Sequence, residues 1–244
     1  MVSRERVNHQ RGGPIAFYYG MNQIDRLVAF DRVVLQGDAY SEQDIASLVV
    51  RGVRPLCYLS LTEDVGPPAE WQREDRNPDW GGKFVHVGHP GWSEHVLNRA
   101  RDMRRIGFRG FFLDTLNIEL TYSEDLPHLL TLIAAIRELS YPDYLLANRG
   151  FGLLPQLADL VDGVLFESFT SRWLESGYAP WPPDVLDVHA RYAEMLLGLD
   201  VEVFALDYAD TPRLAEYARE RAARFGMPCF VSTRDLGTLP GQGS

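Results

Sequence analysis

Cysteine is scarce in this chain, with only Cys57 and Cys229 among 244 residues, each inside an apolar run. That excludes a disulfide-built framework and predicts two buried thiols. Long apolar runs are missing too, since no stretch approaches the length of a membrane span. Met1 to Gly13 is polar and has no hydrophobic signal core, which predicts a cytoplasmic chain as written, or a secreted or periplasmic one if a leader has been trimmed away. Basic charge is in deficit, 24 Lys and Arg against 34 Asp and Glu for a net charge of −10. The deficit argues against nucleic-acid backbones and anionic membranes as partners and is compatible with a neutral or cationic substrate.

Several motifs are also lacking. No G-x-G-x-x-G follows the first apolar run, which weakens a dinucleotide-binding sheet. Neither Ser168 nor Ser232 stands in a G-x-S-x-G elbow, which argues against a serine hydrolase. Asp207-Tyr208-Ala209-Asp210 is acidic where a phosphate-binding barrel carries glycines. His86, His89 and His95 surround Gly88 and Pro90, with no helix-borne H-E-x-x-H, so neither a metal nor a cofactor is expected.

What is present is a regular alternation. Apolar residues make up 45% and charged residues 24%, ordinary for a globular protein, and the length suits one (β/α)₈ barrel. Eight short apolar runs read as strands buried on both faces: 15–19, 33–36, 56–61, 110–114, 144–148, 163–168, 203–207 and 229–232. Between them lie helical stripes, such as Leu126, Leu129, Leu130 and Ile133, or Leu214, Tyr217, Ala218, Ala222 and Phe225. Ser41 with Asp44 predicts a capping box, Thr211-Pro212 an N-cap, and Gly52, Gly107 and Gly226 helix ends. The expectation is a single α/β domain, a (β/α)₈ TIM barrel over 14–236, with a flexible N-terminal tail (1–13) and a C-terminal tail (237–244). An open doubly wound sheet is the alternative.

The polar residues that close these runs carry the functional signal: Gln36, Ser60, Asp114, Asn148, Glu167, Asp207 and Ser232. In a (β/α)₈ barrel the active site lies at those strand ends. If Asp114 follows Phe112, Glu167 follows Leu165 and Asp207 follows Ala205 into the barrel, three carboxylates converge at its mouth. Crowded carboxylates push one another's proton affinity up, so that one donates a proton while another stays ionised. The long segment Thr62–Trp92 is expected to shape a groove, with Trp71, Trp80 or Trp92 at the mouth. A second irregular stretch, Thr170 to Pro183, carries Trp173 and Trp181.

The phrases Phe30–Gln36, Cys57–Glu63, Gly107–Thr115 and Asp162–Ser168 resemble the endo-α-1,4-polygalactosaminidase superfamily, glycoside hydrolase family 114 and its relatives. Asn148-Arg149-Gly150-Phe151 and Phe112-Leu113-Asp114-Thr115-Leu116 look closest to the family 166-like hydrolase domains of Pel exopolysaccharide proteins. The likeness runs from about Ile15 to Leu236. It implies a (β/α)₈ glycosidase cutting α-1,4-linked galactosamine or N-acetylgalactosamine polymers, with Asp114 and Glu167 matching the family's catalytic pair. On that reading Asp114 is nucleophile or charge stabiliser, and Glu167 is general acid then base in a retaining mechanism. Tyr18, Gln36, Tyr58, Asn148, Asp207 and Tyr208 are expected to orient the sugar, and Glu63 and Asp207 to receive a 2-ammonium group. The partner is then an amino-sugar polysaccharide, with oligomeric state left open. A barrel that binds polysaccharide without cutting it, or a hydrolase of another α-linked sugar, is the competing reading.

Overall fold

A strand covered on both faces must be apolar in both directions, and the eight runs meet that demand. The computed structural model describes residues 13–241, so the N-terminal stretch 1–12 lies outside the described residues. In chain order the strands are β1 (Ile15–Tyr18), β2 (Arg32–Leu35), β3 (Arg54–Ser60), β4 (Glu63–Asp64), β5 (Gln72–Arg76), β6 (Lys83–Val85), β7 (Gly110–Asp114), β8 (Tyr144–Asn148), β9 (Gly163–Glu167), β10 (Ser171–Leu174), β11 (Gly177–Pro180), β12 (Glu202–Tyr208) and β13 (Cys229–Ser232). Eight of them form one parallel sheet in the order β1-β2-β3-β7-β8-β9-β12-β13. Its edges curl together: the Phe17 and Phe230 rings are 6.0 Å apart, and the Tyr19 N–H donates to the Leu236 carbonyl at 2.8 Å. The result is a nearly closed (β/α)₈ barrel.

The helices are α1 (Ile24–Leu27), α2 (Glu42–Val50), α3 (Pro90–Ile106), α4 (Leu126–Ser140), α5 (Pro183–Leu197) and α6 (Pro212–Arg224). Local signals set their ends. Ser41 and Asp44 form the reciprocal capping box of α2, and Thr211 caps α6 ahead of Pro212. Gly107 ends α3 at φ 112°, a conformation that suits glycine. On α4, Leu129 and Ile133 are buried as the stripe predicts, joined by Leu132 and Ile136. Cys57 is buried and Cys229 half-buried, both as free thiols, and burial pushes the Cys57 thiol up to about 12.

Register fixes which side chains fill the barrel. Phe17 pairs with Val34, Val34 with Leu56, and Tyr58 with Phe112. Phe112 pairs with Leu146, Phe204 with Leu165, and Leu206 with Phe230. Paired residues in parallel strands point to the same side, so these form the barrel's filling. Two steps on, the same face reaches the mouth.

The segment 62–89 is not an irregular loop. It folds into an antiparallel sheet in the order β4-β6-β5. Trp92 falls in the first turn of α3, where it is 2% exposed and donates to the Leu61 carbonyl at 2.9 Å. At the other end of the chain, Leu236 and Leu239 are buried, and Arg26 donates to the Pro240 carbonyl at 2.7 Å. Residues 237–241 therefore run against the barrel.

Candidate active site

The mouth is built from four neighbouring strands, each contributing its last residue. Asp114 ends β7, Asn148 ends β8, Glu167 ends β9 and Tyr208 ends β12. The Asn148 amide nitrogen donates to Asp114 Oδ1 at 2.7 Å and to Glu167 Oε2 at 2.6 Å. Both bonds leave one nitrogen, so those two oxygens lie no further apart than the bonds laid end to end, about 5.3 Å. Tyr208 donates its hydroxyl to the other Glu167 oxygen, Oε1.

These contacts give the two carboxyl groups different characters. Burial, then the Asp114 charge, raises the proton affinity of Glu167; the hydrogen bonds from Tyr208 and Asn148 and the Arg149 guanidinium work against them. Asp114 stands on the side of Tyr58 and Tyr19. Burial drives both phenols well up, and the Asp114 charge adds to it, so they remain neutral donors. The arrangement suits a proton donor facing an ionised partner.

The backbone itself is set for this. The residue after each of Asp114, Asn148 and Glu167 is left-handed without being glycine: Thr115 at φ 64°, Arg149 at φ 55° and Ser168 at φ 54°. Such backbone costs on the order of 1–3 kcal/mol per residue and clusters at functional sites. Here it is held by hydrogen bonds to the adjoining strand or to the two residues just past its end. Thr115 Oγ1 accepts from the Leu61 and Thr62 N–H groups at 3.1 and 3.0 Å. The Arg149 N–H donates to the Leu165 carbonyl at 2.8 Å, and the Ser168 N–H to the Leu206 carbonyl at 2.7 Å.

Of the nine residues expected at the site, the structure gathers Asp114, Glu167, Asn148, Tyr208 and Tyr58. Gln36 follows Leu35, the register partner of Tyr18, and so stands beside Tyr19 on the rim. Glu63 lies close enough to be raised by the Asp114 charge as well as by burial, but its Oε1 is already taken by the Asn77 amide at 2.8 Å.

Two expectations are corrected. Tyr18 turns away from the mouth and donates to the Met21 carbonyl at 3.0 Å. Its neighbour Tyr19, on the Phe17 face, occupies the mouth and meets Tyr58 edge-on at 5.6 Å. Asp207 also faces outward, because β12 is phased by Phe204, Leu206 and Tyr208, which leaves Ala205 and Asp207 on the helix side. Asp207 is fully buried and accepts from the Thr170 and Ser171 N–H groups at 2.7 and 2.8 Å. Burial pushes its carboxyl up to about 6 against those bonds. The third carboxylate therefore anchors the loop after β9 and does not join the pair.

Among the tryptophans, Trp80 is 54% exposed and meets Trp173 at 6.2 Å, and Trp173 in turn meets Tyr208 at 6.0 Å. Trp71 packs against Trp92 and His95, which stack on each other, and donates to Asp64, while Trp181 packs on His189. Tyr19 is the mouth residue that the sequence reasoning missed. Phe17 at i−2, an inward aromatic, was the signal that would have found it.

Two carboxyl groups tied by one amide at the strand ends of a (β/α)₈ barrel have the makings of a glycosidic-bond-cleaving site. The family model of glycoside-hydrolase family GH114 matches residues 8–240, and the chain belongs to that family. It is a glycoside hydrolase. The glycoside hydrolase domain of PelA from Pseudomonas aeruginosa is 29% identical, with a TM-score of 0.84 over 93% of this chain and 98% of that one. The Aspergillus fumigatus protein Ega3, solved in complex with galactosamine, shares the fold at 14% identity, with a TM-score of 0.70 over 91% of each chain. An uncharacterized protein of Methanocaldococcus jannaschii is 29% identical over 133 residues, 48% of this chain and 38% of that protein. The match thus spans well under half of that curated relative.

Proposed function

We propose that this barrel cleaves α-1,4-linked galactosamine or N-acetylgalactosamine polymers at internal bonds, with retention of anomeric configuration. The observation that carries the reading is the single Asn148 amide shared by Asp114 and Glu167. Carboxyl groups about 5–5.5 Å apart let one attack the anomeric carbon directly, whereas about 6.5–9.5 Å leaves room for an attacking water. The bridged oxygens, within about 5.3 Å of each other, favour the first case. Asp114 attacks the anomeric carbon as Glu167 gives its proton to the departing glycosidic oxygen. Glu167, now ionised, takes a proton from water, which displaces Asp114 and regenerates both groups. Asn148 holds the two carboxylates in mutual reach, and Tyr208 steadies Glu167 through both protonation states.

The choice of an amino sugar rests on GH114 membership and on the galactosamine complex of Ega3. With Asp207 turned outward, Glu63 is the remaining rim carboxylate for a 2-ammonium group. The test is digestion of α-1,4-galactosamine polymers, fully acetylated and fully deacetylated, read by mass spectrometry. Proton NMR of the first-formed product reads the stereochemistry. An α-anomer appearing first supports retention, and a β-anomer rejects it. Binding of oligosaccharide with no new reducing ends over a long incubation would favour a non-catalytic barrel instead.

A further inference from the structure

The mouth above the carboxylates is bridged. The β4-β6-β5 sheet leaves the barrel after its third strand and is footed beside the fourth. Arg73 bonds Asp125 at 2.8 Å, and Phe84 meets Tyr122 at 5.4 Å. Its far turn, residues 77–81, reaches the opposite side of the mouth, to the connections after the sixth and eighth barrel strands. There the Arg234 guanidinium lies 4.2 Å from the Trp80 ring and 4.5 Å from the Trp173 ring, with the two indoles edge-on to each other. Arg234 Nη2 donates to the Asp79 carbonyl at 3.3 Å, and its backbone N–H donates to the Tyr178 hydroxyl at 2.8 Å.

The bridge is fastened by rings and one cation. Among the described residues no backbone–backbone hydrogen bond joins the 77–81 turn to the far side. Such a contact opens without unfolding any strand. A polymer lying beneath the closed turn would depart by sliding or by waiting for the turn to lift.

We propose that Trp80, Arg234 and Trp173 form a clasp that keeps a polysaccharide chain in the groove through several successive cleavages. The idea rests on the glycosidase reading above and adds to it a mode of action. Retention is a matter of slow departure, so the clasp acts on the dissociation rate of the cut chain and not on the chemical step.

The test follows the α-1,4-galactosamine polymer that the wild-type protein cleaves, in whichever acetylation state. Two products are counted early in the reaction: short soluble oligosaccharides, and new reducing ends left on the long polymer. Retention predicts many of the first for each of the second. Trp80→Ala and Arg234→Met should each lower that ratio about fivefold, while turnover of a short oligosaccharide that fits wholly within the groove stays within about twofold. Trp80 is exposed, and its variant is expected to melt with the wild type; Arg234→Met, which keeps the stem and removes the cation, gives an independent reading. An unchanged ratio in both folded variants overturns the clasp. So does a parallel loss on polymer and short oligosaccharide, which would make these residues supports of the catalytic groups. Absence of cleavage by the wild type, by contrast, would defeat the proposed activity itself.

Discussion

The two ends of the barrel handle charge in opposite ways. At the bottom, Arg32 reaches both Glu202 oxygens at 3.0 and 2.7 Å, Tyr144 donates to Glu202 at 2.5 Å, and the guanidinium lies over the Tyr144 ring. A largely sheltered cation there meets a largely sheltered anion. At the mouth, Asp114 and Glu167 share an amide, and among the described residues neither forms an ion pair within bonding distance. The bottom spends its polar groups on holding strands together. The mouth leaves two like groups pressed against each other, the condition that keeps a proton on one of them.

Substitutions at each end test that contrast. The largest effect is expected from Asp114→Asn and Glu167→Gln, each lowering kcat by about 10³-fold or more with the fold retained. Substantial residual turnover in either, measured on pure protein, would reassign the roles. Glu202→Ala should do the reverse. It strands the Arg32 charge and costs about 3 kcal/mol in a urea titration, yet leaves kcat of the folded fraction near wild type. A large fall in kcat would erase the distinction between the ends.

Tyr208→Phe sharpens the comparison within the mouth. The hydroxyl favours ionised Glu167, so its removal should move the basic limb of the pH–rate profile upward, since the acid keeps its proton to higher pH. A limb that stays in place or moves down would assign Tyr208 to the sugar alone. The smallest effect concerns stability. Glu167 binds its proton more tightly folded than unfolded, so its favourable contribution is complete below about pH 4.5 and is lost as pH rises through the folded value. Asp207, held at about 6 against an ordinary 3.8, loses its contribution between those values as pH rises. Glu167→Gln and Asp207→Asn should therefore both flatten the fall in Tm as pH rises from the ordinary carboxyl value through the folded one, a window of 3.8 to about 6 for Asp207. A steeper fall in either would contradict its assigned burial.

Most of the barrel was legible because a strand buried on both faces must be an apolar run, and a polar residue ending it is conspicuous. Phase was harder. Tyr18 and Tyr19 are the same residue type, and only Phe17 against its neighbours decides which of them looks inward. In β12, Ala205 fits either face, so alternation from it alone points Asp207 inward, whereas Phe204, Leu206 and Tyr208 set the register and turn it out. The excursion after β3 was unreadable as sheet, since Gln72–Arg76 is polar on both faces and no alternation marks it. The left-handed kinks fall on Thr, Arg and Ser, where no residue type announces them.

Those kinks bear on how such a barrel diversifies. Arg149 and Ser168 are pinned through their N–H groups to the strand beside them, and Thr115 to the two residues just past the end of its neighbour, so the far parts of the connections take no part in those bonds. Those connections can lengthen, shorten or change partners between relatives while the carboxylates keep their places. A lineage built this way inherits its way of cutting through the main chain and is left to reinvent what it grips.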